Sequence, residues 1–261
     1  MAARQLRRAA RAHASARPAG DLTGPRAGVI ESALDKAVTV PGAKIHEHVD
    51  QLRRRNPYAT PDQLVTLLER EYLRVIQGAG AAVGAAAAAP AVGTGIALAL
   101  TVSDVATFFG ASAAFSLAVA SVHGIDVQDV PRRRALVLAT ILGEAGAKAV
   151  GDAAEISSVH FARTLLTHMP TTTIAKVNST LTKRLIRRQV LRQSALGVGR
   201  LAPFGIGAVI GVAGARALGK TVIEGARLAF GPAPARFAEV IEVVAPGTPP
   251  RIVAFPSSAG S

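Results

Sequence analysis

The stretch from Gly78 to Gly124 restricts this chain more than any other part of it. Asp104 is its only carboxylate, it has no Lys or Arg, and Ala and Gly outnumber the branched aliphatics. Such a segment has to be covered, either by other helices or by a bilayer. Pro90, Gly93 and Gly95 fall together near its middle. Proline removes a helical donor and glycine adds backbone freedom, so a turn is expected there between two helical arms. The first arm is expected from near Pro61 to about Ala89 and the second from about Ile96 to Val122. Small residues recur at every fourth position: Gly80, Gly84 and Ala88 on one arm, Ala106, Gly110, Ala114 and Ala118 on the other. Residues four apart share a helix face, and a row of small ones predicts a seam where two backbones approach. At about 1.5 Å per residue the second arm is long enough to cross a hydrocarbon core of about 30 Å. The same pattern also suits a hairpin buried in a soluble bundle.

A second apolar block runs from Leu196 to Gly231, broken at Pro203, and Gly207, Gly211, Ala215 and Gly219 repeat the four-residue spacing. Its uncharged run, Leu201 to Ala215, is short for a full span and fits a buried or re-entrant helix better. With aromatics at only 4% and no Trp, the core must come from Ala, Val, Leu and Ile, which favours helices. The expected fold is therefore all-α, a helical bundle with two Gly/Ala-rich apolar hairpins that a membrane could accept. Residues 1–27 read as a basic disordered tail, since six Arg stand against Asp21 without an apolar signal core. Residues 28–232 read as the helical domain and 233–261 as a Pro-rich, partly disordered segment.

Local signals place the other elements. Helical pieces are expected between Val29 and Arg55, interrupted at Pro41-Gly42. Thr60 should cap a helix whose first residue is Pro61. Further helices are expected from Ala135 to about Val150, from Asp152 to His168 and from Leu181 to Leu196, with a short hairpin around PGTPP near residue 248.

The net charge is +13. A chain this basic should seek phosphate groups. Three basic runs flank the apolar blocks: Arg53, Arg54 and Arg55; Arg132, Arg133 and Arg134; and a longer cluster with Lys183, Arg184, Arg187, Arg188 and Arg192. Runs on both sides of the first hairpin would put its two ends on one face of a membrane, the cytoplasmic one by the positive-inside tendency. Of these, Arg53, Arg54, Arg55, Arg132, Arg133, Arg134, Arg184, Arg187 and Arg188 are the candidate lipid-phosphate contacts. Asp104, an acid in an apolar arm, should find a cation such as Arg216 or Lys220, or else cap a helix through Ser103-Asp104.

Signals for chemistry are weak. Gly214, Gly219, Lys220 and Thr221 satisfy the G-x-x-x-x-G-K-[ST] pattern of a phosphate loop, but no run ending in a metal-binding Asp follows and the strand-helix alternation of such a domain is missing. GVGRLA at 197–202 matches G-x-G-x-x-A without a preceding strand. His46, Glu47, His48 and Asp50 are ligand types, yet His46 and His48 point about 200° apart on a helix and cannot share one ion unaided. Asp152, Glu155 and His160 lack the spacing of a di-iron bundle. No Ser, His and Asp grouping is recognisable, and the absence of Cys excludes thiol chemistry and disulfides. No catalytic residue, cofactor or metal is expected.

The order and character of several segments carry a resemblance: EYLRVIQGAGAAVG before Pro90, the arm with Asp104, SVHGID, RRRALVLATILG, and LAPFGIGAVIGVAGARALGKTVIEGARLAFGP. Together, from about Pro61 to Pro232, they resemble the EcsC family of hydrophobic bacterial proteins, named for a member encoded beside an ABC transporter. The resemblance implies an all-helical, membrane-associated protein and brings no enzymatic role. The function expected is a non-enzymatic accessory or regulatory factor for transport or secretion, at the cytoplasmic side of the cell membrane. Its partners would be anionic lipid and a membrane protein complex, with nucleic acid not expected. The alternatives are a soluble all-α scaffold and a nucleotide binder acting through residues 214–221.

Overall fold

The computed structural model describes residues 25–87, 94–195, 206–237, 240–243 and 252–253. Those residues are mostly helical. Helices α1 (Pro25–Val38) and α2 (Gly42–Arg55) are separated by the Pro41-Gly42 break. The next helix, α3 (Pro61–Ala87), opens on a reciprocal cap: the Gln63 amide donates to Thr60 Oγ1 at 3.3 Å, and the Thr60 amide donates to Gln63 Oε1 at 2.9 Å. This satisfies two of the donors that a helix start leaves open. With α4 (Thr94–Val122) it forms the first hairpin, whose turn lies outside the described residues.

The middle of the molecule is α5 (Val130–Leu142), not the hairpin. Every residue from Ala135 to Leu142 is buried, and α1, α4, α6, α7, α8 and α9 all pack on it. A helix apolar on all sides is stable only when surrounded in this way. The single helix expected from Ala135 to Val150 is broken at Gly143, whose φ of 62° favours glycine. There the chain doubles back as α6 (Glu144–Ala154), with Gly146 so close to the Ala139 carbonyl that a methyl group would overlap it. The helix expected from Asp152 to His168 is also corrected. Its first residues, 152–154, end α6; residue Glu155 is left-handed at φ 57°, residues 155–161 are irregular, and α7 (Ala162–Thr167) follows. The His160 amide donates to the Leu228 carbonyl at 2.8 Å, so a tertiary bond replaces a helical one.

Two long helices complete the bundle, α8 (Thr171–Ala195) and α9 (Ile206–Phe230). Among the described residues the second apolar block supplies α9, which lies along α3; the expected break at Pro203 and the arm before it lie outside the described residues. They meet at Gly219, where a Cβ would stand 2.8 Å from Leu73 Cδ2, and at the Glu69–Arg227 pair, bonded through both carboxylate oxygens at 2.8 and 2.7 Å. Further along, Gly225 rests on the Thr140 carbonyl of α5. A small sheet closes one side. Strand β1 (Ile125–Val127) runs parallel to β2 (Val240–Val243), with Ile125 opposite Ile241, and β2 runs antiparallel to β3 (Ile252–Val253). The hairpin of β2 and β3 was expected from the sequence; β1 was not.

Candidate functional site

The basic run at 132–134 turns inward. Residue Arg133 is 3% exposed and donates to the carbonyls of Val127, Val38 and Val40 and to Gln128 Oε1, tying α5 to β1 and to the end of α1. Its neighbour Arg132 donates to the carbonyls of Leu165 (2.9 Å), Leu166 (3.1 Å) and Met169 (2.7 Å), filling acceptors that the end of α7 leaves open. The third, Arg134, pairs with Asp35. Arg132 and Arg133 therefore spend their donors on carbonyls within the fold, where the sequence suggested lipid phosphate. In the first run Arg53 lies over the Phe237 ring at 4.1 Å and 3.8 Å from Asp50, while Arg54 and Arg55 are exposed. In the third, Arg184 donates to the Ala145 carbonyl at 3.1 Å and Arg188 to that of Leu142 at 3.3 Å, while Lys183 and Arg187 are exposed.

A Ser-His-Asp chain, which the sequence reading missed, is assembled from three elements. Residue Ser121 of α4 bonds His46 Nδ1 at 2.8 Å, and His46 Nε2 lies 3.0 Å from Asp126 Oδ1 in β1. Burial raises the Asp126 carboxyl, but the hydrogen bond and charge of His46, the Gln128 amide and the Arg133 guanidinium outweigh it and hold it below its ordinary value. The order is that of a hydrolytic triad, yet Ser121 is 2% exposed and the small cavity beside His46 and Asp126 measures about 10 Å³. A nucleophile needs space for a carbonyl beside it. These groups instead fasten α2, α4 and β1 together.

Among the described residues two larger cavities open at the surface. One, of about 480 Å³, is an apolar groove between α2, α3 and α4. Its α4 wall includes the row Gly110, Ala114 and Ala118. The expected seam is thus a trough at Gly110, where an added Cβ would meet nothing within 4 Å. The α3 wall includes Tyr72, whose hydroxyl bonds Ser112 at 2.8 Å, and Val75, which is 48% exposed. At its side His48 Nε2 faces Glu71 at 3.0 Å.

The other cavity, of about 470 Å³, is a polar cleft where the start of α3, the end of α4 and the end of α9 converge. Its apolar walls include Phe115 and Phe230; its polar groups are Asp62, Thr66, Glu69, His123, His160 and Arg227. The His123 Nδ1–H donates to the Val119 carbonyl at 2.9 Å, which leaves Nε2 an acceptor, buried and without a hydrogen-bond partner among the described residues. Burial pushes the His123 imidazole below its ordinary value against the opposing effect of the Val119 and Pro232 backbone groups. Hydrogen bonding to Glu69 raises the Arg227 guanidinium despite desolvation, and the charges of Glu69, Asp62 and Glu224 add to it.

The remaining expected sites disperse. Residues Gly214, Gly219, Lys220 and Thr221 lie inside the continuous helix α9, where amides bond to carbonyls four residues back and are not free to cradle phosphate. The Thr221 hydroxyl itself donates to the Ala217 carbonyl at 3.2 Å. Residue Gly80 is buried, and Gly84, Gly207, Gly211 and the Asp104 side chain lie outside the described contacts. The proposed Asp104 partners Arg216 and Lys220 are exposed. Among the described residues no group of three or more His, Asp or Glu is placed to hold a metal ion. Against family models, curated proteins and solved structures, the chain finds no match.

Proposed function

We propose that this protein acts without chemistry of its own, as an accessory or regulatory factor docked on the cytoplasmic face of an anionic membrane, in transport or secretion. The reading rests chiefly on α4. From Val105 to Val122 it runs 18 residues without a charge, and 61% of that stretch is buried within the fold. The remainder contributes to the apolar groove, where Gly110 and exposed Val75 leave room unfilled. Exposed cations at Arg54, Arg55, Lys183 and Arg187 supply charge for acidic headgroups, each adding about 1 kcal/mol of attraction near such a surface. Likeness to the EcsC proteins fits the same role.

Flotation of the full chain with vesicles tests this reading. Recovery with phosphatidylglycerol-containing vesicles, little with phosphatidylcholine alone, and release by detergent rather than by high salt are expected. Salt release alone would mean purely electrostatic docking. No flotation with either vesicle would remove the membrane role and favour a soluble scaffold, a reading consistent with the largely buried α4.

A further inference from the structure

The polar cleft carries a sign opposite to that of the molecule. Arg227 shares the cleft with two carboxylates, Asp62 and Glu69. Glu69 occupies that guanidinium through both oxygens. The Asp62 carboxylate has no hydrogen-bond or ion-pair partner among the described residues, and His123 Nε2 is likewise unpaired. An anion entering here would meet a guanidinium already paired with Glu69 and the further negative charge of Asp62. A buried acceptor without a donor costs about 1–3 kcal/mol, so the cleft gains from a ligand that brings donors. An ammonium brings three donors and no acceptor. The rings of Phe115 and Phe230 line the same space, and an aromatic face attracts a cation. At about 470 Å³ the cavity lies within the range of small-molecule sites.

We propose that this cleft is a binding site for a small organic ammonium with an apolar body. Its charge lies toward Asp62 and its apolar part against Phe115 and Phe230. The site is independent of the membrane role and stands or falls without it. Its ligand is discriminated from a neutral molecule of equal shape by Asp62 and from an anion by the local field.

The test uses the full-length protein and isothermal titration with phenethylamine, against phenethyl alcohol as the uncharged counterpart. Saturable binding of the amine, at least about tenfold tighter than the alcohol, is expected. Because Asp62 is exposed, Asp62→Asn leaves the fold intact, and it should weaken the amine about fivefold or more while leaving the alcohol unchanged. Glu47→Gln, an exposed carboxylate on α2 outside the cleft, should change neither. Equal affinity for amine and alcohol, absence of saturable amine binding, or an Asp62→Asn variant indistinguishable from the parent would each overturn the proposal.

Discussion

At Arg133 a charge that composition assigns to the surface has been used as internal fastening. Its four donor contacts end on acceptors of α1, the link from α1 to α2, β1 and the segment between β1 and α5, in a setting only 3% exposed. Removing the guanidinium strands the Val127 and Val38 carbonyls away from water, each at about 1–3 kcal/mol. Arg133→Met is therefore expected to lower unfolding free energy by about 3 kcal/mol or more, read from urea denaturation, whereas Arg187→Ala, at an exposed position, should stay within about 0.5 kcal/mol. The sequence could not separate these two arginines. A run of three identical residues shows charge and spacing but not which carbonyls tertiary folding will bring within reach. The same limit hid the Ser121–His46–Asp126 chain, whose members are spread over three elements.

At the level of elements, punctuation residues were legible and single glycines were not. Pro41-Gly42 and Thr60-Pro61 mark real helix boundaries because they act through local geometry. Gly143 breaks a helix only because α6 must fold back on α5, a demand set by burial, and β1 pairs with a strand more than a hundred residues later. Four-residue rows also predicted which face is small without telling what lies opposite. In α4 that face is the trough wall, while three buried serines reach other helices: Ser112 to Tyr72, Ser116 to Thr140 at 2.9 Å, and Ser121 to His46. The contrast gives a prediction of opposite sign at two helical glycines. Gly225→Ala drives a methyl into the Thr140 carbonyl and should destabilise by about 1–3 kcal/mol. Gly110→Ala meets open space and should stabilise, by up to about 1 kcal/mol through helix propensity. Thermal melts of both variants check the pair.

At the scale of the whole molecule, proton uptake couples stability to pH at two places among the described residues. The folded His123 imidazole lies below its ordinary value, so the unfolded chain binds a proton more readily, and stability present above about pH 6.5 declines as pH falls toward the folded value. The Asp126 carboxyl is also held low; its contribution persists above the ordinary carboxylate range and is lost as pH falls through its folded value. Melting temperature should therefore decline between pH 7.5 and 5.5. In His123→Asn, which keeps a donor for the Val119 carbonyl, that decline should be smaller; an unchanged slope would assign it to other histidines. The helical class was plain from the scarcity of aromatics and a core left to Ala, Val, Leu and Ile, while the assignment of α5 as its centre required the contacts themselves.

The parallel join of β1 to β2 has a consequence for synthesis. Residues 240–243 leave the ribosome after every described helix, so the nascent chain can assemble its rods while the backbone of Ile125–Val127 still lacks its neighbour. A bare strand margin invites foreign pairing. Until that late stitch is made, the growing polypeptide carries one sticky edge, and a stalled or shortened product would keep it.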